Sequence, residues 1–101
     1  MKQCCKDYLM EQFGDEEVIG EIYEEYVASI HEKTPEIDTA LANENWTALD
    51  QLAHAVKGNA LATGDNDVAE AAIALRIAAK MSDKATAGSL IAKMKELTKD
   101  L

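Results

Sequence analysis

The sequence predicts an all-α protein, an antiparallel up-and-down four-helix bundle with one or two short additional helices at its N-terminus. Three observations support this fold class. Residues that favour helices, such as Ala, Leu, Glu and Lys, are abundant, whereas only one Pro and five Gly occur among 101 residues. Apolar residues recur at steps of three and four, and no segment alternates as a strand does. Short connections between long amphipathic helices favour antiparallel neighbours.

The first half of the chain divides at residues that start and stop helices. A short helix is expected from Lys2 to about Glu11. Asp15 is the expected cap of a long second helix, with which the core bundle of about 15–101 begins. Thr34 then predicts a stop, and Pro35 predicts the first position of another short helix that ends near Asn43. The expected chain is one domain over residues 1–101.

The second half contains the three remaining helices. Asn45 is the expected cap of a helix over residues 46–63, and Gly64 can close that helix in the left-handed conformation. The next helix is expected to begin at Asp65 or Asn66 and to run through Ala79, and Ser82 is the expected cap of the last one. These helices supply most of the predicted core.

The net charge limits the classes of partner. The chain has 19 acidic and 10 basic residues, a formal charge of −9. It lacks the basic surface that nucleic acids and anionic membranes require, so we expect neither partner. No apolar run is long enough to span a membrane, and the N-terminus does not resemble a signal peptide. We therefore expect a cytoplasmic protein, and the initial Met with a full set of helices favours a free-standing one.

The two cysteines are Cys4 and Cys5, which are adjacent. Neighbouring cysteines rarely bridge one another, and a zinc site would need two further ligands that do not occur nearby. We expect two reduced thiols, with no metal or other cofactor in this chain.

The segment HAVKGNALATG, residues 54–64, carries the most informative pattern. On a helical wheel its His54 lies opposite the apolar face, together with Lys57, Gly58 and Leu61 and with the preceding Asp50 and Gln51. A glycine inside a helix costs about 0.8–1 kcal/mol relative to alanine. Because Gly58 points away from the core, close helix packing does not explain that cost. The exposed histidine lies beside Gly58, which has no side chain, and beside the apolar Leu61. This combination indicates a surface for a protein partner.

The residues of this face suit phosphoryl transfer. A neutral imidazole is a nucleophile, and an unperturbed pKa of about 6.5 leaves most of it neutral at pH 7. Lys57 can supply positive charge to phosphate oxygens, and Gly58 leaves room for the donor to approach. Asp50 or Gln51, one turn before, can bond the Nδ1–H of His54 and leave Nε2 as the attacking atom. A solvated pair is the alternative for those two residues.

At these residues the sequence resembles the histidine-containing phosphotransfer (Hpt) domains of two-component phosphorelays. Their signature is a histidine, Lys-Gly at the third and fourth positions after it, small residues, and Gly at the tenth, here His54, Lys57, Gly58 and Gly64. The resemblance covers nearly the whole chain, including the entry FGDE into the second helix. Two positions depart from it: Leu75-Arg76 stands where many members have Leu-Glu, and Asn59 where Ser or Ala is common. We expect these departures to affect partner choice and not the phosphoacceptor.

The resemblance implies a phosphocarrier without autonomous kinase activity. His54 would accept a phosphoryl group from a receiver-domain aspartate and pass it to the aspartate of another receiver. Lys57 would steady the phosphate, Gly58 would give access, and Leu61 would contact the receiver. The implied partners are response-regulator receiver domains and a hybrid histidine kinase, with magnesium bound by the receiver. Nothing in the pattern requires a dimer, so we expect a monomer.

Three alternatives remain at this stage. A histidine kinase dimerisation domain would have an acidic residue directly after the histidine, where this chain has Ala55, and would need a nucleotide-binding domain. A haem- or metal-binding bundle could use His54, His31 or Met94, but ligands in such bundles point inward. His31, expected near the end of the second helix, suits the helix dipole there. A helical adaptor in which His54 is incidental is the third.

Overall fold

The computed structural model describes all 101 residues and consists of helices and short connections, as the all-α prediction requires. The helices are α1 (Gln3–Phe13), α2 (Glu16–Ala42), α3 (Trp46–Thr63), α4 (Asn66–Lys80) and α5 (Lys84–Thr98). The molecule is about twice as long as it is wide, 42 × 20 × 19 Å, because the 27 residues of α2 extend for about 40 Å. None of the helices combines the length and the apolar character that crossing a membrane would require.

Helices α2 to α5 enclose the core. Helix α2 packs against α3, α3 against α4, α4 against α5, and α5 against α2, while α1 lies on α2 and α3. Large apolar side chains come from all four enclosing helices, among them Ile30, Leu49, Leu75 and Ile91. Between them α4 contributes the five buried alanines 69, 71, 72, 78 and 79. Small side chains let the neighbouring helices approach α4 closely, which fixes the α3–α4 pair that presents the candidate site.

The predicted break at Thr34 and Pro35 is wrong, because α2 continues through both residues. A proline inside a helix removes one backbone hydrogen bond and crowds the carbonyl four residues before it. Here Ile30 and Ile37, on either side of Pro35, are both buried in the same core. Thr34 donates its hydroxyl to the Ile30 carbonyl at 2.7 Å. Packing on both sides of the proline therefore keeps the helix continuous, so only one short additional helix, α1, exists.

The caps of α3 are as predicted, whereas the cap of α5 is not. Asn45 accepts a hydrogen bond from the backbone of α3, and Gly64 ends the helix with φ of 80°. Ser82 does not cap α5, since it has φ of 52° and belongs to the connection. Asp83 is the cap and accepts from both the backbone N–H and the hydroxyl of Thr86. Its carboxylate can accept two bonds at once, which a serine hydroxyl does less well.

Helix α1 is held to the bundle by a buried carboxylate. It extends to Phe13, two residues beyond the expected end, and stops at Gly14 in the left-handed conformation. Asp65 begins α4, but its side chain caps nothing and is 1% exposed. It accepts from the Lys2 ammonium at 2.8 Å and from the Tyr26 hydroxyl at 2.7 Å. The sequence predicted Asp65 only as a helix start, and its second role is to join α1, α2 and α4.

Candidate functional site

His54 lies on the exposed face of α3, about midway along the helix. The opposite face carries Leu49, Ala53, Val56 and Ala60, each at most 1% exposed. This is the placement that the helical wheel predicts. The imidazole is therefore accessible from outside the bundle and is not a core side chain.

Lys57 and Gly58 follow His54 by three and four residues, so both lie one turn along the same side of α3. Lys57 is partly buried and forms none of the salt bridges of the molecule. Its ammonium is free to approach an anion near His54. Gly58 is exposed, and a Cβ atom added there would meet nothing within 4 Å. The structure therefore gives no packing reason for a glycine at this position.

Apolar side chains are exposed on the two helices that flank the site. Leu61, one turn beyond Lys57 and Gly58, is 44% exposed. On α4, Ile73 and Ile77 are 42% and 57% exposed. Exposure of apolar side chains to water is unfavourable, and groups of them commonly mark a protein contact surface. The sequence singled out Leu61 alone.

The hydrogen-bond partner of the imidazole is Arg76 of α4, and neither Asp50 nor Gln51 bonds the ring. Arg76 Nη1 lies 2.9 Å from His54 Nδ1, and its Nε donates to Asp50 Oδ1 at 2.9 Å. Asp50 is thus bound to the arginine. That bond holds the pKa of the Asp50 carboxyl below its usual value, with a smaller favourable contribution from the arginine charge. Gln51, one turn before His54, lines a groove with Pro35 of α2.

The two departures from the Hpt pattern have different structural consequences. Asn59 donates its amide to Ser29 at 2.7 Å and thereby ties α3 to α2. Arg76 reaches the candidate phosphoacceptor itself, so the expectation that this departure would not concern His54 is wrong. The only sequence signal for Arg76 was that an arginine follows Leu75 where the family pattern has a glutamate. Its contact with His54 joins two helices and residues 22 positions apart, so local sequence does not reveal it.

The residues considered for a haem or metal site differ in their exposure and in their contacts. His31 is exposed in the interior of α2, not near its end, and its Nε2 donates to the main-chain oxygen of Leu101 at 3.0 Å. Met94 is a buried core side chain. No group of three or more His, Cys, Asp or Glu residues is close enough together to hold a metal ion.

Comparison with known protein families gives a match that covers most of the chain. The Hpt domain family matches residues 21–101, which include all of α3, α4 and α5 and most of α2. No curated protein and no solved structure gives a significant match.

Proposed function

Because this chain belongs to the Hpt domain family, we propose that it carries a phosphoryl group on His54 between the receiver domains of a phosphorelay. Histidine phosphotransfer in phosphorelays is the function of the family. The observation that carries the residue assignment is the exposed imidazole of His54 on a face that also offers a free lysine and an unobstructed glycine. His31, the one other histidine, has its Nε2 bonded to the main-chain oxygen of Leu101.

The chemistry divides between this chain and its partner. A lone pair of the imidazole attacks the phosphorus of a receiver aspartyl phosphate, the P–O bond breaks, and the carboxylate leaves with the bonding electrons. Lys57 balances negative charge on the phosphoryl oxygens during the transfer. Gly58 leaves the space in which the partner's active site meets the imidazole. The magnesium ion and the remaining catalytic groups belong to the receiver, so we expect no ATP-dependent autophosphorylation by this chain.

The exposed apolar residues favour a docked protein over a small-molecule donor. Leu61, Ile73 and Ile77 would be covered by a receiver domain that places its aspartate over His54. The implied partners are response-regulator receivers and a hybrid histidine kinase in the cytoplasm, each bound by a monomer of this chain. Connections of two or three residues between contacting helices support an antiparallel up-and-down course for the bundle.

The direct test is transfer of radioactive phosphate from purified phosphorylated receiver domains. We expect alkali-stable, acid-labile label on this chain, complete loss of label in His54→Gln, and normal labelling in the matched variant His31→Gln. Lys57→Ala should keep the fold and slow transfer about tenfold, which corresponds to about 1.4 kcal/mol of lost transition-state stabilisation. Lys93→Ala, an exposed lysine on α5, should transfer normally.

Two outcomes would reject the assignment. Label on His54→Gln would place the phosphate elsewhere. Binding of receivers without any transfer would favour the adaptor alternative. Equal rates for Lys57→Ala and Lys93→Ala would remove Lys57 from its proposed role.

A further inference from the structure

A continuous hydrogen-bonded chain runs from Asp50 through Arg76 to His54 across the α3–α4 contact. The side chains of Asp50 and Arg76 are each 26% exposed, so this pair is partly shielded from water. Asp50 binds Nε of the guanidinium, and that bond aims Nη1 at the imidazole. An aspartate is ionised at neutral pH, so Asp50 can anchor Arg76 there, and the bond to Arg76 lowers the pKa of Asp50 further.

The contact determines which imidazole nitrogen carries the proton. A guanidinium has donors and no acceptor, so Nδ1 of His54 must accept the bond from Arg76. A neutral imidazole has a single N–H, which is then on Nε2. A protonated ring nitrogen has no free lone pair in the ring plane and cannot attack phosphorus. In this arrangement the nitrogen that remains open to a partner is the unreactive one.

We propose that Arg76 is a positioning residue that latches His54 in its unreactive tautomer, and that phosphoryl transfer requires Arg76 to leave Nδ1. This inference rests on the proposed function and concerns its regulation. Once Arg76 withdraws, the proton can reside on Nδ1, and the Nε2 lone pair can form the N–P bond as the P–O bond of the donor breaks. The product ring carries a positive charge until Nδ1 releases its proton to solvent.

The same latch acts on the phosphorylated protein. After Nδ1 has lost its proton it is again an acceptor, and Arg76 can return to it. An imidazole leaves phosphorus more easily when Nδ1 is protonated, because it then departs as a neutral ring and not as an anion. Arg76 on Nδ1 therefore slows loss of the phosphoryl group as well as its acquisition. A docking receiver must release the latch in both directions.

The test compares Arg76→Gln with Lys80→Gln. Both variants remove one positive charge near Asp50 from α4, but Lys80 donates no hydrogen bond to His54. A glutamine at position 76 can accept from Nδ1–H through its amide oxygen, so it permits the reactive tautomer. Asp50→Asn is a third variant, which keeps Arg76 and weakens its anchor.

The first measurement is the tautomer of His54 by ¹⁵N NMR at pH 8. We expect Nε2–H to dominate in the wild type and in Lys80→Gln, and the Nδ1–H fraction to rise in Arg76→Gln. The second measurement is loading by phosphoramidate, a small donor whose P–N bond breaks with release of ammonia. Loss of a partly exposed charge-assisted bond should speed loading about fivefold in Arg76→Gln, with a smaller gain in Asp50→Asn. The phosphohistidine of Arg76→Gln should also have a shorter lifetime.

The outcomes separate this inference from the proposed function. A wild-type imidazole that is mainly Nδ1–H, or equal loading of Arg76→Gln and Lys80→Gln, overturns the latch even if receivers still transfer phosphate to His54. Loading by phosphoramidate that follows the expected order, without transfer from any receiver, supports the latch and rejects the relay function. Circular dichroism of each variant verifies that the helices are intact.

Discussion

Substitution of Gly58 should change stability and function in opposite directions. Gly58→Ala should make the fold more stable and the protein a poorer phosphocarrier. The added Cβ would meet nothing within 4 Å, so no packing penalty opposes the gain in helix propensity. That gain is about 0.8–1 kcal/mol. With an unfolding entropy of about 2.1 cal/mol/K per residue, it corresponds to a rise in Tm of about 4–5 °C. The readout is thermal unfolding followed by circular dichroism.

The loss of function should grow with the size of the new side chain. Gly58 is one turn from His54 on the exposed face of α3, where the partner has to approach. Displacing reacting groups by about 1 Å can cost up to about a hundredfold in rate, so we expect Gly58→Gln to slow transfer from a phosphorylated receiver by about tenfold to a hundredfold. Alanine should give a smaller decrease.

Gly20 of α2 is the matched control. A Cβ there also meets nothing within 4 Å, so Gly20→Ala should raise Tm by a similar amount and leave transfer unchanged. Gly20→Gln should likewise transfer at the wild-type rate. A fall in Tm for Gly58→Ala would refute the packing argument. Normal transfer by Gly58→Gln would show that the glycine does not serve access to His54.

Two further predictions concern stability and thiol chemistry. Gly64→Ala should lower the free energy of unfolding in urea by about 2 kcal/mol or more, because Gly64 has φ of 80° and its Cβ would lie 2.5 Å from Cβ of Tyr8. Gly14→Ala, with φ of 67° and only an ordinary contact, should lose about 1 kcal/mol, and equal losses would contradict the overlap with Tyr8. Burial, the neighbouring thiol of Cys4 and the charge of Asp65 raise the pKa of Cys5 to about 12, so iodoacetamide should modify Cys4 alone at pH 8 in the folded protein and both thiols in urea. Rapid native modification of Cys5, which is 0% exposed, would be inconsistent with its position.

What the sequence predicted well is set by interactions within a few residues. Asn45 and Gly64 bound α3 through contacts with that helix's own backbone, and the exposure of His54 follows from the helical period alone. The motif residues Lys57 and Gly58 lie on the same helix as the histidine. Local rules are sufficient for features of this kind.

The errors occur where distant segments decide the outcome. Pro35 is a strong local stop signal, but the shared core around Ile30 and Ile37 outweighs it. Asp65 is a plausible helix cap by position, but Lys2 and Tyr26 come from 63 and 39 residues away to bind it. Neither partner can be identified from the residues around these positions. Tertiary contacts override local preference in both cases.

The candidate site depends both on local rules within α3 and on a contact from a distant segment, Arg76 of α4. The histidine, lysine and glycine on α3 indicate where a phosphoryl group would be held. Whether the imidazole can accept it depends on which ring nitrogen is protonated, and that is fixed by Arg76 from another helix. An acidic residue at position 76 would accept a hydrogen bond from Nδ1–H and so favour the reactive tautomer. An arginine there does the opposite, so two chains with the same α3 motif can differ in resting reactivity through one residue on α4.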